Sequence, residues 1–89
     1  MKKEICTKNA PDAIGPYSQA VRAGDFLYVS GQVPIDPKTG AVVEGGIQAQ
    51  AHQVFKNLKA ILEEAGMSFD NVVKTTVLLA DMGDFSTVN

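Results

Sequence analysis

At 89 residues the chain suffices for one small domain, and a domain of that size buries only about 60% of the surface its unfolded form exposes. One cysteine excludes an intrachain disulfide as extra support, so a partner subunit is the expected source of it. A net charge of −2 with scattered basic residues argues against nucleic-acid binding, and the absence of a membrane-length apolar run or an apolar amino-terminal core makes the cytosol the expected compartment.

Hydrophobic residues make up 45% of the chain and charged residues 20%, an ordinary globular balance. Met1 to Lys8 has a short alternation that suits an edge strand, and Cys6 reads there as a small strand residue. Asn9-Ala10-Pro11-Asp12 is turn chemistry, with φ preset at Pro11 and a side chain at Asp12 that can bond its own backbone. Gly15 to Ala20 and Val29 to Pro34 then flank an Ala23-Gly24-Asp25 turn and predict a β-hairpin. Antiparallel pairing would bring Tyr17 and Ser18 close to Ser30 and Gly31. A phenol, a hydroxyl and a glycine backbone would meet there as a polar floor for a small molecule.

The strand Phe26-Leu27-Tyr28-Val29 is apolar on both faces, whereas a strand with one solvated face alternates. One face is expected to meet a helix and the other a second subunit. Asp36-Pro37-Lys38-Thr39-Gly40 predicts a turn joining Gln32–Ile35 to Ala41-Val42-Val43 as a second small hairpin.

From Gly46 to Gly66, Ile47, Ala51, Val54, Phe55, Leu58, Ile61, Leu62 and Ala65 recur at three- and four-residue intervals. That spacing predicts an amphipathic helix packed on a sheet, closed by Gly66 in a left-handed cap and loosely started at Gly45-Gly46. His52, the sole histidine, falls on the polar shoulder of the helix and reads as a surface residue. Adjacent Glu63 and Glu64 point in different directions and form no acid–base pair. Val72, Val73, Thr75, Thr76 and Val77 make Asn71 to Ala80 a predicted strand, parallel to an earlier one through a right-handed crossover. Asp81 or Asp84 would cap a further helix starting near Phe85.

Four stretches together carry a resemblance: Ala13-Ile14-Gly15-Pro16-Tyr17-Ser18-Gln19-Ala20, Ser30-Gly31-Gln32-Val33-Pro34, Lys74-Thr75-Thr76-Val77 and Asp84-Phe85-Ser86-Thr87-Val88-Asn89. In this order they resemble the reactive intermediate deaminase (Rid, or YjgF-type) family, over a match running from near Asn9 to Asn89. The resemblance implies an α+β, chorismate-mutase-like fold: a mixed sheet with helices on one face, in which three subunits pack their sheets into a central barrel. Residues 1–89 would be a single domain lacking the helix and strands with which family members continue.

The implied activity is hydrolysis of reactive 2-imino acids, released as enamines by pyridoxal-phosphate dehydratases, to 2-keto acids and ammonia. No cofactor is implied, nor is a metal. By motif position, Tyr17 would offer its hydroxyl to substrate or water, Ser30 and the Gly31 N–H would fix the polar end, and Asn89 would border the pocket at the subunit interface. The family's carboxylate-clamping arginine and water-orienting glutamate belong to strands after residue 89. Arg22 is not at the motif position of that arginine. Beside a deaminase stand two other readings: a binding module for small keto acids, and a nuclease or translation inhibitor, which the acidic balance disfavours.

Overall fold

The computed structural model describes residues 2–13 and 17–88. Strand β1 is Lys2–Ile5, β2 Ala20–Ala23 and β3 Phe26–Val29, forming an antiparallel sheet in the order β1-β2-β3. The expected edge strand is therefore present, and it extends the hairpin to three strands.

The hairpin turn is tighter than three residues. Ala23 pairs with Phe26, which leaves only Gly24 and Asp25 in the loop. Gly24 has φ +62° and Asp25 does not share a positive φ, an arrangement that suits a type II′ turn and the right-handed twist of its strands. The regular ladder stops at Ala20 and Val29, but the Ser30 N–H continues it by donating to the Gln19 carbonyl at 3.0 Å.

Register divides the sheet into two faces. Ile5, Ala20 and Val29 lie abreast, as do Lys3, Arg22 and Leu27, on the same face. Ile5 and Ala20 are buried in one cluster with Ala10 and Ile61, against which Leu27, Val29, Ala60 and Ala65 pack. The opposite face carries Glu4, Val21 and Tyr28 abreast, then Lys2, Ala23 and Phe26. There Phe26 and Tyr28 are 61% and 64% exposed, with ring centroids 6.5 Å apart. Two aromatic rings on the solvent side of a sheet are what a strand apolar on both faces leaves uncovered.

Helix α1 spans Gly46–Glu64. It starts at Gly45 without a side-chain cap and ends in a Schellman closure: Met67 N donates to the Leu62 carbonyl at 2.7 Å, Gly66 N to that of Glu63 at 3.0 Å, and Gly66 has φ +76°. Arg22 reaches from the sheet to this end, its Nη2 donating to the Ala65 carbonyl at 3.5 Å. His52 lies exposed on the polar side.

The second small hairpin reduces to an isolated bridge, Ile35 to Val42, closed by Asp36 N on the Ala41 carbonyl and Val43 N on that of Pro34. Its turn forms as expected: the Asp36 carbonyl accepts from Gly40 N, its carboxylate from Lys38 N, and Gly40 has φ +73°.

The expected strand Asn71 to Ala80 does not form. Phe69–Asn71 is a short 3-10 turn capped by Ser68, and 72–80 holds no strand. The proposed parallel crossover falls with it, since both pairings in the sheet are antiparallel. β-branched residues favour a pleated surface only when a neighbouring strand completes the ladder. Among the described residues none pairs here, and Val73 and Leu78 stand 89% and 91% exposed. Beyond it Asp81 caps a 3-10 turn, Met82–Asp84, with its carboxylate accepting from Gly83 N at 2.8 Å; the short helix α2, Phe85–Val88, follows and lies against α1. Among the described residues no helix is long and apolar enough to cross a membrane.

Candidate active-site cleft

Where the hairpin ladder ends, the chain parts to leave an open cleft of about 290 Å³, at the lower end of the ~300–1,000 Å³ usual for small-ligand sites. Tyr17 and Gly31 both line it, with Gln19, Gln32, Val33 and Ile35 around them and Pro11, Asp12, Pro37 and Gly40 completing the rim. The pairing of β2 with β3 produces this meeting: the bond from Ser30 N to the Gln19 carbonyl holds the two departing chains together one residue before Gly31 and two after Tyr17.

Ser30 stands differently. Its hydroxyl donates to the Ser18 carbonyl, tying the two chains side chain to backbone, and it is absent from the cleft lining. Its proton is thus committed, and only its oxygen lone pairs remain to accept. Asn89 lies outside the described residues, as do Ile14, Gly15 and Pro16 of the motif around Tyr17.

Two buried carboxamides shape the cleft, and neither is conspicuous in the sequence. Gln19 is 4% exposed. Its Oε1 accepts from Thr7 N at 2.7 Å, and its Nε2 donates to the carbonyls of Thr7, Ala10 and Pro11 at 3.0, 3.3 and 2.8 Å. One side chain thereby fixes the whole Thr7–Pro11 segment against β2. Asn57, on α1 and fully buried, donates through Nδ2 to the Val33 and Ile35 carbonyls at 3.2 and 2.9 Å. Asn57 falls inside the apolar stripe, three residues after Val54 and four before Ile61. A polar residue at a core phase was the available signal. Asp12 is the charged residue on the rim, and no Lys or Arg joins it among the described lining residues.

Comparison with known proteins decides the family. Residues 7–89 match the family described as Endoribonuclease L-PSP. The 2-iminobutanoate/2-iminopropanoate deaminase of Mus musculus is 58% identical over 89 residues, covering 100% of this chain and 66% of its own. The chain belongs to the Rid family. The crystal structure of the Rid-family protein YyfA of Yersinia pestis superposes with a TM-score of 0.96 at 50% identity, covering 99% of this chain and 70% of that one. E. coli TdcF, crystallised with bound serine, gives a TM-score of 0.91 at 43% identity, over 97% of this chain and 67% of its own. The fold is accordingly the chorismate-mutase-like α+β architecture of Rid proteins, and this chain spans about two thirds of the length of such relatives.

Proposed function

We propose that the protein is an imine/enamine deaminase, hydrolysing 2-iminobutanoate and 2-iminopropanoate to the corresponding 2-keto acids and ammonia. The observation that carries this reading is whole-chain identity of 58% to a relative bearing that name, combined with Tyr17 and Gly31 on one cleft.

The chemistry asks little of the protein. A protonated imine carbon is already electrophilic. Water adds to it as the C=N π bond becomes a nitrogen lone pair, a proton passes from the added oxygen to nitrogen, and the carbinolamine collapses to a C=O group as ammonia leaves and the remaining hydroxyl proton passes to water. Binding, orientation and a positioned water are enough. Tyr17 offers its hydroxyl to that water or to the substrate nitrogen, and the Gly31 N–H serves the polar end. Ser30, with its proton on the Ser18 carbonyl and its side chain outside the cleft lining, contributes by holding Tyr17's segment. Asn89 borders the pocket by motif position.

The substrate is a carboxylate, and the cleft's rim bears Asp12. The counter-charge therefore comes from outside this lining. We assign it, with the water-orienting acid, to the family segment that follows the motif ending at Asn89. The exposed Phe26–Tyr28 face supports assembly through the sheet; three copies with sites at subunit interfaces follow from the family resemblance. Serine in the TdcF structure supports the same scale of ligand, a small amino- or keto-acid carboxylate. The test couples a threonine dehydratase to the protein and follows ammonia and 2-oxobutanoate: faster release than from buffer alone supports the reading. Ligand binding without acceleration would leave a keto-acid-binding module.

A further inference from the structure

A helix core position occupied by a carboxamide is costly unless each polar atom finds a partner. At Asn57 all do. Oδ1 accepts from Gln53 Nε2 at 2.8 Å, one turn earlier on the same helix, and Nδ2 serves two carbonyls at once. The two carbonyls demand the nitrogen, and Gln53 satisfies the oxygen, so the group has one sensible orientation.

The two carbonyls belong to a single short segment. Between them the Pro34 carbonyl takes the Val43 N–H at 2.9 Å, and Ile35 N closes back on the Val33 carbonyl at 2.8 Å. Segment 33–35 is thus held from one side by the helix and from the other by residue 43. Val33 and Ile35 line the cleft that holds Tyr17 and Gly31, while Asn57 itself does not. Leucine would fill the same core position, leaving the Ile35 carbonyl unpaired and the Val33 carbonyl with only the Ile35 N–H.

We propose that Asn57 is a positioning residue for this cleft, setting the Val33–Ile35 wall at the spacing from Tyr17 and Gly31 that the imino acid requires. The proposal rests on the deaminase reading given above.

The test uses the full assembled protein and compares Asn57→Leu with Ile61→Val, a core truncation outside the cleft, at a temperature where both are folded. For imine generated in situ, Asn57→Leu should raise KM and lower kcat/KM by about ten- to a hundred-fold, with Ile61→Val close to wild type. A loss in Asn57→Leu no greater than that in Ile61→Val overturns the proposal. Should Asn57→Leu fail to fold, Gln53→Leu decides. It releases the carboxamide without opening the core and should raise KM; wild-type KM and kcat would overturn the assignment. A wild-type protein that hydrolyses no imine sinks the deaminase reading instead. The wall is then tested by the Kd of 2-oxobutanoate, which Asn57→Leu must weaken and Ile61→Val must not.

Discussion

The Gln19 side chain and the Thr7 backbone bond to each other twice, Thr7 N to Oε1 at 2.7 Å and Nε2 to the Thr7 carbonyl at 3.0 Å. A carboxamide here imitates a peptide group, carrying the β1–β2 pairing past its last backbone pair, Ile5 with Ala20. Gln19→Leu should cost about 1–3 kcal/mol in urea unfolding, because the Thr7–Pro11 groups it served lose their partner. Gln19→Glu should cost more, since a carboxylate oxygen would face the carbonyls of Thr7, Ala10 and Pro11. Equal stability of all three proteins would show that water replaces the amide freely.

Arg22 is committed to the end of α1 and lies on the helix-facing side of the sheet. A guanidinium at a helix C-terminus is worth up to about 1 kcal/mol at a partly exposed site. Arg22→Met should therefore lower stability by no more than that and leave kcat/KM within about twofold of wild type. A collapse of activity with intact folding would make Arg22 the substrate's carboxylate clamp.

Tyr17→Phe in the full protein removes one hydroxyl from the cleft and nothing from the core. Deaminase turnover should fall by about ten- to a thousand-fold, the span expected for one transition-state hydrogen bond or proton relay. Thermal unfolding should show a loss of no more than the ~1 kcal/mol of a single hydrogen bond. Undiminished turnover would assign Tyr17 to packing.

Phe26→Lys places a charge on the uncovered sheet face. If that face is the trimer contact, sedimentation should move from a trimer toward monomer at micromolar concentration. An unaltered mass would transfer the interface elsewhere on the surface.

The chain ending at Asn89 should accelerate dehydratase-coupled keto-acid formation far less than a form extended by the family's following segment. Its cleft offers Tyr17 and Gly31 but lacks a lining cation among the described residues, and a bidentate guanidinium clamp is hard to replace. Equal acceleration by both forms would place the catalytic groups within these 89 residues.

What the sequence revealed follows the range of the interactions involved. The helix, its Gly66 closure, the Gly24 hairpin and the Asp36–Gly40 turn are set by contacts a few residues long, and all are present. The meeting of Tyr17 with Gly31 followed from hairpin pairing and is likewise present. The strand expected at Asn71 to Ala80 needed a neighbour that propensity cannot supply, and 72–80 remains without a ladder. Gln19 and Asn57 were overlooked because their importance lies in partners 8 to 24 residues away. Polar residues at buried phases announce that a partner exists, without saying which.

The two ends of α1 are unequal. Gly66 and Met67 close one with a hydrogen bond each, whereas Gly45 and Gly46 open the other at φ +113° and +78° with no side chain to anchor it. Unwinding should therefore travel from the first turn inward and halt near Gln53 and Asn57, where Asn57, braced by Gln53, grips the cleft wall. The Glu44–Gly46 joint can then change shape or acquire insertions while the anchored half of the helix and the Val43 N–H keep their grip on the cleft wall. Diversity among related chains would be tolerated at that corner of the fold at little expense to the cleft.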